Sequence, residues 1–202
     1  MRRTNAITLP TLSGPASPTG SDTVNINSSS ESVNWSTVRN LTLNGGVGQY
    51  AVPAGSYGNF TANGGSGFTL GTAGATTPSV YNFQQLNLNS NSEFRVLGPI
   101  IVNVASGFNA NGLMGASGSS SWLTLNIYSG DFTLNGGATL HGFVTAPSGT
   151  VTVNGNSLLI GGVIADRLTV NGGGILRLQN PASPNQSPTI SLTAPADGAT
   201  FT

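Results

Sequence analysis

Three features of this 202-residue chain predict an all-β fold, a right-handed parallel β-helix of about seven irregular coils with a short extended C-terminal tail. First, a phrase of apolar-x-apolar-Asn, usually followed by Gly, recurs from Leu41-Thr42-Leu43-Asn44 to Leu168-Thr169-Val170-Asn171, at steps of 17 to 26 residues. A short strand and a turn repeated near this spacing is the signature of a solenoid. Second, an apolar residue stands five positions past four of these asparagines: Phe94, Leu140, Leu159 and Leu176. Third, Gly and β-branched residues interrupt every window long enough for a helix. An antiparallel sandwich with Asn-Gly hairpins is the competing architecture. The phrase recurs at about twice the spacing a meander needs, and its two columns stay in phase, so the solenoid is preferred.

The elements follow in order. Residues 1–35 are rich in Ser, Thr, Pro and Asn, with weak alternation at Val24-Asn25-Ile26, and read as an irregular lead-in that caps the first coil with one irregular strand. Residues 36–178 carry the coils. Alternation within each strand sends Leu41 and Leu43 to one face and Thr42 to the other. At the turns, Asn44, Asn63, Asn89, Asn111, Asn135, Asn154 and Asn171 form a structural ladder. Asn tolerates the left-handed conformation, and its amide can bond the equivalent Asn one coil away. The two longest coils are expected to carry extra loops at 71–78 and 112–121. With parallel strands about 4.8 Å apart, seven coils make a rod roughly 35 Å long. Residues 179–189 contain three prolines and read as a linker, since Pro cannot join a sheet interior. Residues 190–202 alternate, turn at Pro195 to Gly198 and begin a second strand.

Composition limits the function. Charged residues are 6% of the chain against roughly a quarter in ordinary domains. All six basic residues are Arg and the formal net charge is zero, so no electrostatic footprint for nucleic acid or anionic lipid is present. No apolar run reaches the length of a membrane-spanning helix, so membrane insertion is not expected. Cys is absent, which removes disulfides and thiolate metal sites. Met1-Arg2-Arg3-Thr4-Asn5 has a basic start with no apolar stretch behind it, so no signal peptide is expected here, and the chain reads as a piece of a longer protein.

The phrases at 132–137 (Phe-Thr-Leu-Asn-Gly-Gly) and 142–147 (Gly-Phe-Val-Thr-Ala-Pro) carry a resemblance. Residues 37–178 resemble β-helical repeat domains of large secreted bacterial surface proteins, and more distantly bactofilins, which polymerise end to end. Residues 189–202 resemble the opening of bacterial Ig-like repeats. These resemblances imply an extracellular or cell-surface location, a structural or adhesive role, and self-association or contacts with surface glycans or matrix.

No enzyme is expected. A carbohydrate-active β-helix needs clustered carboxylates. Of six acids, Glu93, Asp131 and Asp166 fall within the coils, and they share no register position. His141 is the sole histidine and shares its offset from the turn Asn with Arg95 and Arg177, which predicts an outward polar stripe beside Glu93. One His and no Cys predict no metal site and no cofactor. Asp166-Arg167 reads as a corner ion pair. Gly45–Gly48 and Gly172–Gly174 lack the Lys-Ser/Thr ending of a phosphate loop and read as corners. Sequons at Asn27, Asn34, Asn40, Asn59 and Asn185 are expected by chance in so Asn- and Ser-rich a chain. Thr42, Thr61, Thr133, Thr152 and Thr169 take the outward position of one strand, with Asn87 and Asn109 filling the gaps. That flat, uncharged face suits a crystalline polysaccharide or ice, although Thr also lines exposed sheets for its β-propensity alone.

Overall fold

A computed structural model describes residues 8–89 and 91–180. The linker from residue 181 onward and the Ig-like segment lie outside the described residues. Thirteen strands follow one another: β1 (Asp22–Ile26), β2 (Val38–Leu43), β3 (Gly48–Ala51), β4 (Gly55–Ala62), β5 (Ser66–Leu70), β6 (Ser79–Leu88) and β7 (Glu93–Val96). Then come β8 (Ile100–Ala110), β9 (Leu113–Gly115), β10 (Leu123–Leu134), β11 (Thr139–Val153), β12 (Leu158–Val170) and β13 (Ile175–Leu178). Every strand pairing is parallel, and all thirteen strands join one sheet. The chain is a β-solenoid of about 8 turns. The sole helical element among the described residues is a single 3₁₀ turn at Ser120–Trp122.

Each full coil has three faces, and the inward columns explain why. On the first face Leu41 pairs with Phe60, Phe60 with Leu86, Phe108 with Phe132, and Phe132 with Val151. The second face stacks Tyr50, Phe68, Phe94, Met114, Leu140, Leu159 and Leu176 in register. This is the column anticipated at Phe94, Leu140, Leu159 and Leu176. The third face stacks Tyr81, Val102, Leu125, Val144 and Val163. Between the ends the inward side chains of all three faces are buried in one continuous core. Each such Leu or Phe contributes about 1.5–3 kcal/mol over leaving it in water. An aromatic knot tightens the early coils: Phe60 lies 4.7 Å from Tyr57, 5.4 Å from Phe68 and 5.1 Å from Phe83, centroid to centroid.

The turns correct one expectation. The ladder asparagines do not themselves take left-handed backbone. The positive φ falls two residues later, at Gly46, Gly65, Asn91, Gly137, Asn156 and Gly173. In the last three of these turns the residue immediately after the Asn (Gly136, Gly155, Gly172) is left-handed as well. Two successive positive-φ residues are the pattern of a type I′ turn, whereas one at the second position is that of type II. The Asn heads the turn instead: its carbonyl accepts from the residue three further on, as in Ser92 to Asn89 at 2.9 Å and Ser157 to Asn154 at 3.0 Å.

The loop expected at 71–78 is present between β5 and β6, whereas the stretch 112–121 contains β9 and is only partly a loop. The lead-in is more ordered than its composition suggested. Val24-Asn25-Ile26-Asn27 is itself a rung, paired in register with Leu41 to Leu43 through β1. Residues 27–37 then fold over the first coil. Tyr50 Oη donates to the Ser28 and Glu31 carbonyls at 3.0 and 2.9 Å, and Trp35 sets its ring edge-on to Tyr57 at 6.3 Å.

Upstream of β1 the chain runs lengthwise along the corner between the third and first faces. Leu9 to Leu12 lie beside Tyr128, Ser129, Pro147 and Ser148. Gln84 Nε2 donates to the Ala16 carbonyl, Thr19 N–H to Ser56 and Ser21 N–H to Thr37. This strap therefore crosses the coils in reverse order. The two ends differ. The first coil is plugged by Trp35 and Val33, while the last leaves Leu168, Val170, Ile175 and Leu178 between 44% and 76% exposed.

Candidate functional site

The turn ladder is the most regular polar array. Every expected member donates its backbone N–H to the coil before: Asn44 to Ile26, Asn63 to Leu43, Asn89 to Ala62, Asn111 to Leu88, Asn135 to Ala110, Asn154 to Leu134 and Asn171 to Val153, at 3.0–3.4 Å. Side-chain amide bonds join Asn44 to Asn27 at 2.7 Å and Asn89 to Asn63 at 2.8 Å. Asn27 is thus an eighth member. Its phrase, Val24-Asn25-Ile26-Asn27, fits the repeat pattern but lacks the following Gly.

The threonine column stands in register. Thr42 pairs with Thr61, Thr133 with Thr152 and Thr152 with Thr169, while Asn87 and Asn109 take the intervening rungs. All five Thr side chains are half-buried, and Thr61 Oγ1 accepts from Asn87 Nδ2 at 3.3 Å. A second outward ladder lies on the third face. Asn126 donates to Asn103 at 2.9 Å, Asn103 to Asn82 at 3.0 Å, and Asn82 to Ser56 Oγ at 3.1 Å. Sequence reasoning missed it, although an apolar-Asn-apolar triplet recurs at Tyr81–Phe83, Val102–Val104 and Leu125–Ile127.

The acids do not converge. Glu93 projects from the second face, where Arg95 binds it at 2.5 Å and Gln49 reaches it at 3.2 Å across the side-chain gap left by Gly67. Asp131 sits at the corner between the third and first faces and accepts the Thr150 N–H at 2.7 Å, capping the turn one coil on. Asp166 lies along that same corner, next to Arg167. The expected Asp166–Arg167 pair is absent: among the described residues the ion pair is Arg95–Glu93. Both Asp166 and Arg167 are exposed in the last coil.

His141, Arg95 and Arg177 do share one outward column, but Gly115 separates Arg95 from His141 and Ile160 separates His141 from Arg177. His141 is only 9% exposed, and burial holds its imidazole below the ordinary value of 6.5. The ring is packed rather than projecting into solvent as the sequence predicted. Burial also pushes the Tyr57 phenol up to about 12, with Tyr81 nearby adding to the rise, and it raises Tyr81 itself. Among the described residues no three of His, Asp and Glu come together as metal ligands.

A concavity of about 590 Å³ opens at the last coil, where Phe143, Gly161, Gly162, Ile164 and Leu178 are among its walls. The Phe143 ring lies close over Gly162, where any β-carbon would meet it at 2.9 Å. Nearby, Ser120 Oγ bonds Gln179 Oε1, which ties the exit strand to the 3₁₀ turn. The cleft is mainly apolar, with Thr145, Gln179 and Asn180 on its wall, and its lining carries no titratable side chain, so it suits packing rather than acid–base chemistry. Among the described residues no helix is long and apolar enough to cross a membrane. Comparison with protein-family models, curated proteins and solved structures returns no match.

Proposed function

We propose that the chain is a non-enzymatic structural or adhesive β-solenoid module, built into a secreted or cell-surface bacterial protein. One observation carries this reading: the outer faces bear columns of neutral amides and hydroxyls, bonded coil to coil on the third face and at single rungs elsewhere, while Glu93 and Asp131 are each engaged by other groups. Such a surface offers stiffness and contact area, and it offers no pair of carboxylates for general acid–base work. Neutral ladders also keep their bonds at high salt, where charged ones are screened.

Negative-stain electron microscopy of the full chain over a concentration series tests it. Isolated short rods at every concentration support a spacer module. Filaments of uniform width would instead make the chain a polymerising subunit, and cleavage of any polysaccharide in a substrate panel would overturn the non-enzymatic reading. A second reading rests on the Thr42–Thr61 and Thr133–Thr152–Thr169 column, which suits a crystalline polysaccharide or ice. Thr133→Arg and Thr152→Arg place charges on that face; retention of the chain on an insoluble glycan, or its shaping of ice crystals, must fall at least tenfold for this reading to stand.

A further inference from the structure

The strap has a sequence logic of its own. From residue 8 to 19 the half-buried positions are Leu9, Leu12, Pro15 and Pro18, and every residue between them is exposed. A period of three is that of an extended polyproline II segment, which has no internal hydrogen bonds and leaves its backbone free to bond a groove. The groove uses that freedom. It bonds the Ala16 carbonyl through Gln84 and accepts the Thr19 N–H at Ser56, and Gly14 passes the Tyr128 ring, where a β-carbon would sit 3.9 Å away.

The core of this strap is Leu12-Ser13-Gly14-Pro15-Ala16-Ser17-Pro18. The same pattern, Leu-x-x-Pro-Ala-Ser-Pro, occurs once more, at Leu178-Gln179-Asn180-Pro181-Ala182-Ser183-Pro184, where the chain leaves the last coil. Leu178 is 76% exposed there, the most exposed large apolar side chain among the described residues. Pro181 to Pro184 lie outside the described residues.

We propose that the corner groove lined by Tyr128, Gln84 and Ser56 is a recognition site for Leu-x-x-Pro-Ala-Ser-Pro segments. Residues 12–18 fill it in cis, and residues 178–184 of a second copy are its partner when the strap lifts and that copy's Leu178 and Gln179 come away from Gly161 and Ser120. The spacing of Leu and two prolines matches position for position, so Leu178, Pro181 and Pro184 take the places of Leu12, Pro15 and Pro18. The tethered strap holds an advantage of effective concentration, so the unaltered chain is mainly self-occupied. Weakening the strap removes that competition and raises the apparent affinity for the second segment by the factor the strap had imposed. This inference concerns self-recognition and does not depend on the role proposed above.

The test uses the full chain and a labelled synthetic peptide of residues 176–188, read by fluorescence anisotropy. L12S/P15S/P18S is expected to bind the peptide at least tenfold more tightly than the unaltered chain, and adding Tyr128→Ser is expected to abolish that gain. The strap variant is also expected to double its mass in sedimentation, and P181S/P184S to return it to the monomer. Equal binding of a scrambled peptide, or no gain on weakening the strap, overturns the proposal. Should the strap variant fail to fold, the unaltered chain decides. Saturating peptide must accelerate hydrogen exchange at the Thr19 and Ser21 amides, and unchanged exchange sinks the idea.

Discussion

Phe60→Ala and Thr61→Ala change adjacent residues of one strand, and the solenoid assigns them opposite fates. Phe60 is 0% exposed and meets Tyr57, Phe68 and Phe83 at 4.7, 5.4 and 5.1 Å. Truncating a buried Phe costs about 3–5 kcal/mol, because the transfer term is lost and the cavity collapses only in part. Three aromatic neighbours on two coils place this site toward the upper end. Thr61 points outward and loses one neutral bond to Asn87, worth about 1 kcal/mol or less at a half-exposed site. Domain stabilities are about 5–15 kcal/mol, so the first change consumes much of the total and the second little. With a urea slope of about 2 kcal/mol per molar, Phe60→Ala lowers the unfolding midpoint by about 2 M and Thr61→Ala by about 0.5 M or less. Comparable shifts for the two variants, at unchanged slope, would refute the inward–outward assignment of this face and with it the stacked core.

Other consequences are equally direct. Gly161 has φ +146 and a β-carbon there would stand 1.9 Å from the Gly142 carbonyl oxygen, so Gly161→Ala is expected to cost more than about 3 kcal/mol by thermal melting. Gly74 has φ +76 in open space, so Gly74→Ala should cost only the left-handed strain of about 1–2 kcal/mol. The Ser157 hydroxyl is buried without a partner, so Ser157→Ala is expected to be neutral or to raise the melting temperature. His141 titrates lower in the folded chain than its ordinary 6.5. Its contribution is therefore complete above pH 6.5 and declines as pH falls below it, since the unfolded chain binds the proton first. Urea midpoints measured between pH 7.5 and 5 should fall for the native chain and less for His141→Gln.

The repeat was legible because a solenoid writes each rung into the sequence in the same local form. Leu41–Asn44 and Leu168–Asn171 announce a strand, an inward pair and a turn without any distant information. The column at Phe94, Leu140, Leu159 and Leu176 was legible for the same reason. What escaped was set by relations between coils or by the ends. The Asn82–Asn103–Asn126 ladder needs the register between rungs, since an isolated apolar-Asn-apolar triplet means little. Asn27 lacks a following Gly, so the first rung reads as an irregular strand covering the coils rather than as a member of the repeat. The left-handed residue was misplaced from the Asn to the second residue after it, because Asn and Gly both tolerate positive φ and only the turn geometry decides between them. The strap was hidden outright. Its order comes from Gln84, Ser56 and Tyr128, and a segment rich in Ser and Pro reads as irregular until the groove beneath it is known.

The strap also changes how the array should unfold. In a solenoid whose coils touch only their neighbours, stability is a sum of nearest-neighbour terms, and unravelling starts at the weaker end. Here that end is the last coil, where Leu168 and Val170 are each 44% exposed while their counterparts Val151 and Val153 are 0% exposed. The strap adds contacts of another kind: residues 9–14 lie beside Pro147 and Tyr128, and residues 16–21 bond Gln84, Ser56 and Thr37 in turn. A coil near the C-terminal end cannot peel away without disturbing a segment that also holds the second and third rungs. Unfolding is therefore more cooperative than the repeat alone dictates. Hydrogen exchange measures this directly. In the unaltered chain the Asn154 amide, bonded to Leu134, and the Asn63 amide, bonded to Leu43, should be protected within about 1–2 kcal/mol of each other. In L12S/P15S/P18S the Asn154 amide should open first, with a gap of more than about 2 kcal/mol and a reduced urea slope. If protection falls equally at both positions, the strap stabilises without coupling the coils, and the array behaves as a plain stack.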